Sequence, residues 1–256
     1  MLLGRGSRWR VCCFKLNGIK MMVSFSQRST SVEIMDDLGY HEQIVFQTLR
    51  ELDFINQWLG GNAVALNALD VVLSPIPKEK NISIADLGCG SGEMLRLIAK
   101  KTFRENRKVQ LTGIDANPYI IDYAKKQSNG LGNLNFETLD IFSNDFRSQC
   151  FDVIMATLFL HHFSDEELIS LFRSLKKQAK AGIIVNDIHR HPLAYYAIKG
   201  LTSLFSKSSM VKFDAPLSVL RAFTRNELMA ILEKAGIADY QLNWKWAFRW
   251  QLIIFC

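Results

Sequence analysis

One acidic residue and a run of alternating glycines carry the first chemical signal. In Asp86-Leu87-Gly88-Cys89-Gly90-Ser91-Gly92 three glycines stand two apart, directly after the apolar, β-branched run Ile82 to Ala85. Met94, Leu95, Leu97 and Ile98 follow at helical spacing. The stretch therefore reads as strand, tight turn and helix. Glycines in such a turn reach positive φ and let a ligand approach the backbone without meeting a Cβ. The start of the helix adds unpaired N–H groups and a partial positive charge.

The spacing narrows the ligand. A dinucleotide fingerprint is G-x-G-x-x-G, and a phosphate loop is G-x-x-x-x-G-K-[ST]; neither is present. Asp86 would repel a pyrophosphate and attract a cationic amine, which suits a zwitterionic nucleoside such as S-adenosylmethionine. Asp115 ends the next apolar run, Val109 to Ile114, where a carboxylate can accept from both ribose hydroxyls. Capping the following helix then falls to Asn117. Asp140 follows the run Leu134 to Thr138 and can accept from an adenine amino group, with Ile141 covering the ring. Cys89 fills the turn as a small side chain rather than as a nucleophile. The five cysteines are odd in number and contain no C-x-x-C, so neither a disulfide framework nor a zinc site is expected.

A second group of residues could serve an acceptor. His161 and His162 follow the run Phe151 to Ala156, and His189 and His191 follow Gly182 to Val185, beside Asp187. Imidazoles titrate near neutrality and suit proton removal from a hydroxyl. His161, His162 and His189 are the candidate bases, and Asp187 is placed to orient a histidine or the acceptor. Their spacing matches no zinc arrangement, and no metal is expected. Phe159, Phe163, Tyr195, Tyr196, Phe205 and Phe213 are candidate pocket walls.

The elements that must position these groups alternate strand and helix. Strands are expected at 82–87, 109–114, 134–138, 151–156 and 182–185, with helices at 118–127, 164–177 and 225–235. Ser164-x-x-Glu167 and Thr224-x-x-Glu227 read as capping boxes. Continuous apolar strands in repeated βα units mean an α/β fold whose parallel sheet is covered on both faces, with ligands at the carboxyl ends of the strands. Two helices, at about 40–59 and from Asn62 as cap to about 73, precede the first strand. The tail from Leu242 to Phe255 has room for two strands. About 35 residues separate Asp187 from the helix at Arg225, more than a crossover needs. This insert, at about 189–224, carries its own helical stripe (Leu193, Ala197, Leu201, Leu204, Phe205) and reads as a lid.

The 256 residues carry a net charge of +6. All of that excess lies in residues 1–32, which hold six basic residues and no acid; the remainder has 25 of each sign. The body therefore offers no argument for nucleic-acid binding. Residues 1–35 read as a basic leader, either a transit-like segment or an upstream extension with later starts at Met21 and Met22. No apolar run is long enough for a membrane span, and a cytoplasmic location is expected. Residues 36–79 form a helical segment and 80–256 the main domain.

Taken together, Asp86 with Gly88, Gly90 and Gly92, then Asp115, Asp140 and Phe151-Asp152-Val153-Ile154 resemble the class I S-adenosylmethionine-dependent methyltransferase family over roughly residues 80–190. Leu160-His161-His162-Phe163 is similar to a form found among its ubiquinone/menaquinone methyltransferase-like, small-molecule members. Asn186 to Arg190 and Ser218 to Phe223 resemble bacterial members linked to polyketide or lipid-like phenolic products, which implies secondary metabolism. The resemblance implies a Rossmann-like, doubly wound seven-stranded sheet with its last strand antiparallel. It also implies S-adenosylmethionine held by Asp86, Gly88, Cys89, Gly90, Gly92, Asp115, Ala116, Asp140, Ile141 and Thr157. The implied reaction is methyl transfer to a small aromatic or lipid-like acceptor, on oxygen. The alternatives are an RNA or protein methyltransferase and C-methylation of a quinone precursor. Ala156-Thr157-Leu158-Phe159 replaces the Asn/Asp-Pro-Pro-aromatic motif of nucleic-acid amino methylation, which points away from that class.

Overall fold

The computed structural model describes residues 23–36 and 42–256. The apolar runs assemble into one seven-stranded sheet in the order β3-β2-β1-β4-β5-β7-β6. Its strands are β1 (Ile82–Leu87), β2 (Val109–Asp115), β3 (Leu134–Thr138), β4 (Phe151–Thr157), β5 (Ala179–Ile188), β6 (Tyr240–Lys245) and β7 (Arg249–Phe255). β1 to β5 pair in parallel. β7 runs antiparallel between β5 and β6, so the tail does hold two strands. This is the Rossmann-like methyltransferase fold that the sequence leads one to expect.

Helices cover both faces, as continuous apolar strands require. α1 (Glu42–Trp58), α2 (Gly61–Leu73), α3 (Glu93–Arg104) and α4 (Pro118–Gln127) precede the short α5 (Asn144–Arg147) and α6 (Asp165–Gln178). α7 (Pro192–Phe205), α8 (Ser209–Arg221) and α9 (Arg225–Ala235) complete the set. On one face α6 and α9 bring Phe172, Leu175, Leu228 and Ile231 onto Ile154, Ile183 and Leu252. On the other, α2 and α3 bring Leu69, Val72, Leu95 and Ile98 onto Ile84, Val153 and Ile184.

Helix starts follow local chemistry. Ser164 with Glu167 and Thr224 with Glu227 form the two expected capping boxes. Asn117 Oδ1 accepts from Tyr119 N at 3.0 Å, ahead of Pro118. Asn62 does not cap α2. That helix starts after Gly60, at φ 72°, with no side-chain cap. Asn62 instead receives the Asn56 amide at 2.5 Å and donates to Glu93 at 3.1 Å, so it is drawn inward. The insert is two helices rather than one stripe. Ser206 ends α7, and Ser208 Oγ caps α8 by accepting from Val211 N. The short α5 was not anticipated: four residues are too few to show a period.

Of the residues read as a leader, 1–22 lie outside the described residues. Residues 23–36 lie against the folded body. Arg28 donates to the carbonyls of Arg221 at 2.8 Å and Phe163 at 2.8 Å, and Nη1 meets Asp165 at 2.7 Å. Among the described residues no helix is long and apolar enough to cross a membrane.

Phe172 is fully buried between α6 and the sheet. Phe172→Ala should cost about 3–5 kcal/mol in a urea or guanidinium titration, as cavity formation in a packed core does. A loss below about 1 kcal/mol would show that this core collapses around the gap.

Candidate active site

The glycine turn owes its shape to the strand pairings on either side. β1 is flanked by β2 and β4, so its carboxyl end opens at the centre of the sheet. Gly88, Gly90 and Gly92 take φ of 63°, 52° and 75°. A Cβ on Gly88 would sit 2.2 Å from the Phe159 ring, so the turn and the chain after β4 are packed against each other. Gly92 initiates α3, which puts the free end of that helix at the turn.

A cavity of about 1430 Å³ opens over this edge. It exceeds the roughly 300–1,000 Å³ of a single small-ligand pocket, leaving space for two reactants. Asp86, Gly88, Cys89, Gly90, Asp115, Ala116, Asp140, Ile141 and Thr157 all line it. Of the ten expected cofactor residues only Gly92 does not; its work is the turn. Asp86 is 2% exposed and its Oδ1 has no hydrogen-bond partner. Burial, with Asp115 as a like charge, pushes its pKa up to about 7. Asp115 accepts from Asn117 N at 3.0 Å and Gly90 N at 3.4 Å. Burial still raises it to about 6, against those bonds. Asp140 is exposed at the rim and accepts from Phe142 N at 2.8 Å. Thr157 Oγ1 is buried and unpaired.

These features fit S-adenosylmethionine. An unpaired buried carboxylate costs several kcal/mol unless a cation meets it, which the donor's amine would do. Asp115 would take the ribose hydroxyls, Asp140 the adenine amine, and the glycines admit the ligand against the backbone.

The histidines divide. His161 is 3% exposed, with Nδ1 2.7 Å from Asp187 Oδ1 and Nε2 3.6 Å from Glu33 Oε1. Asp187 also accepts from the Leu160, His161 and Ile188 amides. Burial raises its pKa, but His161 and these bonds outweigh that and hold it below the ordinary value. His162 lies 2.7 Å from Asp36 through Nδ1 and 4.0 Å from Glu33 through Nε2. Both histidines line the cavity. Asp187 does not: it lies behind His161, against the ring's Nδ1. His189 does not line the cavity either. Its ring packs on Trp250 at 4.8 Å, and burial lowers its pKa.

Glu33 escaped the sequence reading. It is the first acid after an acid-free stretch, and no spacing links it to histidines 128 and 129 positions on. Burial raises its pKa to about 7 against the pull of His162 and the Ser218 hydroxyl. Arg221 holds the arrangement together by donating to the carbonyls of His161, His162 and Ser31. Glu33, His161 and His162 place ligand atoms within 4.8 Å of one another, the one such group among the described residues. Arg221 Nε, 3.8 Å from Glu33, already supplies positive charge there.

The walls differ from expectation. Phe159 and Phe163 line the cavity, but Tyr195, Tyr196, Phe205 and Phe213 do not. α7 turns Ala194, Ala197, Ile198 and Leu201 inward and leaves Tyr196 and Phe205 exposed. Trp58, Trp244, Trp246 and Phe248 stand in their place.

Fold and site together define an S-adenosylmethionine-dependent methyltransferase of class I. A family model described as a methyltransferase domain matches residues 78–236, and the chain belongs to that family. It is an enzyme, and S-adenosylmethionine is its methyl donor. No curated protein matches it in sequence. Among solved structures it is similar to the plantazolicin methyltransferase in complex with S-adenosylhomocysteine, at 19% identity and TM-score 0.60, over 86% of this chain and 97% of that one. A SAM-dependent methyltransferase from Aquifex aeolicus gives 17% and 0.57, over 84% and 98%. Human N-acetylserotonin methyltransferase in complex with SAM gives 20% and 0.58, over 84% of this chain but 56% of the human one. At these identities the likeness is one of fold.

The raised pKa of Asp86 has a measurable consequence. An acid that binds its proton up to about pH 7 presents less charge to a cation below that pH. Affinity for S-adenosylhomocysteine, by calorimetry, should rise as the pH climbs from about 5.5 to about 7.5, and Asp86→Asn should flatten that rise. A wild-type affinity independent of pH would separate Asp86 from the amine.

Proposed function

We propose that the protein methylates a hydroxyl group of a small aromatic or lipid-like acceptor. The observation that carries this reading is the His161–Asp187 pair, whose histidine lines the same cavity as the glycine turn. Asp187 accepts the Nδ1 proton of His161, which leaves Nε2 as a lone-pair base on the cavity side. The donor supplies an electrophilic methyl group. Nε2 of His161 takes the acceptor's hydroxyl proton as the oxygen–methyl bond forms and the sulfur–methyl bond breaks. Glu33, 3.6 Å away, steadies the imidazolium that results. Phe159, Phe163 and the tryptophans offer aromatic faces that favour an apolar ring or chain. Placement in one site supplies most of the advantage of such an in-line transfer.

The neutral body supports a small acceptor over RNA. Structural relatives that act on small molecules, such as human N-acetylserotonin methyltransferase, are consistent with it. The same reading puts the enzyme among the ubiquinone/menaquinone methyltransferase-like, small-molecule members of the family.

Purified protein incubated with phenols, quinols and hydroxylated lipids should yield methyl ethers by mass spectrometry. His161→Ala should lower kcat by about 10²–10⁴-fold with S-adenosylhomocysteine affinity unchanged within about twofold. Carbon-methylated products, or a His161→Ala enzyme of full kcat, would contradict the reading.

A further inference from the structure

Strand alternation puts four polar side chains on one face of the sheet at its ligand edge. Asp86, Thr157 and Asn186 follow Ile84, Met155 and Ile184 by two positions, Arg249 precedes Ile253 by four, and those apolar residues share one core. Their strands, β1, β4, β5 and β7, are successive neighbours. Each of the four has one buried polar atom without a partner: Asp86 Oδ1, Thr157 Oγ1, Asn186 Oδ1 and Arg249 Nη1. The row begins with an unpaired carboxylate and ends with an unpaired guanidinium nitrogen.

Arg249 is the unexplained member. It is 4% exposed and lines the cavity. Nη2 donates to Asn56 Oδ1 at 3.1 Å, an uncharged partner. Among the described residues no carboxylate pairs with it. Asp187 raises its pKa from a distance, but burial prevails and lowers it to about 10. Asn56 passes its amide to Asn62, and Asn62 passes its own to Glu93, so the nearest acid on that side is two amides removed and already engaged. Arg249 also adjoins the amino end of α2. A Cβ on Gly61 would lie 3.2 Å from Nη2, and α2 has no side-chain cap. A buried cation and an uncapped helix start converge on one side of the cavity, and both favour an anion.

We propose that Arg249 and the amino end of α2 form a carboxylate-binding site, and that the acceptor is therefore a carboxylate-bearing molecule. This deepens the reading of a small apolar acceptor and rests on it. A planar carboxylate matches the guanidinium fork, and its charge supplies what Arg249 lacks. The tryptophans Trp58, Trp244 and Trp246 line the same cavity and suit an aromatic or long-chain body. The same carboxylate chemistry is present at the methionine end of the cofactor, so the test separates the two sources.

Titrate the protein loaded with S-adenosylhomocysteine with 4-hydroxybenzoate and with its neutral counterpart, 4-hydroxybenzyl alcohol. The carboxylate should bind at least about tenfold more tightly, and Arg249→Met should erase that difference while leaving S-adenosylhomocysteine affinity within about twofold. Arg249→Lys, which keeps the charge without the fork, should retain part of the preference. If Arg249→Met weakens S-adenosylhomocysteine by tenfold or more and spares 5′-methylthioadenosine, the site holds the cofactor's carboxylate and the acceptor half of the proposal falls. Equal binding of the two probes to wild type, with S-adenosylhomocysteine indifferent to Arg249→Met, overturns the site altogether. These are binding measurements, so absence of methyl ethers in the acceptor screen would strike the reaction and leave this result standing.

Discussion

Asp86 is a carboxylate taken out of water at the carboxyl end of β1 with one oxygen unpaired. Among the described residues no cation neutralises it, and Asp115 nearby makes its ionisation harder. A fold that keeps such a group must draw the compensation from a ligand. The rest of the site is arranged around that constraint. The glycines clear the backbone beside Asp86, α3 starts where the ligand must lie, and Asp115 and Asp140 stand at the ends of the next two strands outward.

The acceptor side has its own dependence. His161 works only if Asp187 holds its Nδ1 and the loop after β4 keeps its place. That loop is fixed from outside the domain core. Arg28 and Arg221 bind the carbonyls of residues 161 to 163 while anchoring residues 28 to 36. The segment before α1 therefore delivers Glu33 to the histidines, and one wall of the cavity comes from residues 128 positions before His161. Charge on the two sides of the sheet is handled differently: Asp187 is saturated with donors, whereas Arg249 is left open.

The fold was legible because its signals are local. Apolar runs of strand length, two capping boxes and the 2-2 glycine spacing each fix a piece of backbone without reference to distant residues. The cofactor side was legible for the same reason: Asp86, Asp115 and Asp140 stand at strand ends, and strand ends meet at one edge of a parallel sheet. The acceptor side depends on contacts between distant segments. Nothing near Glu33 or Arg249 in sequence indicates that one meets His161 and the other the start of α2. His189 misled because it follows a strand, yet its ring turns onto Trp250 instead of the cavity. Tyr196 and Phe205 misled because a stripe gives the period of a helix without saying which side faces in.

Asp86 is the group on this edge placed to meet the amine of the cofactor. Calorimetry of S-adenosylhomocysteine against 5′-methylthioadenosine, which keeps the nucleoside and lacks the amino acid end, tests it directly when done on wild type and Asp86→Asn. The substitution should weaken S-adenosylhomocysteine by at least about tenfold and leave 5′-methylthioadenosine unchanged within about twofold. Equal loss for both ligands, or no loss for either, would contradict it.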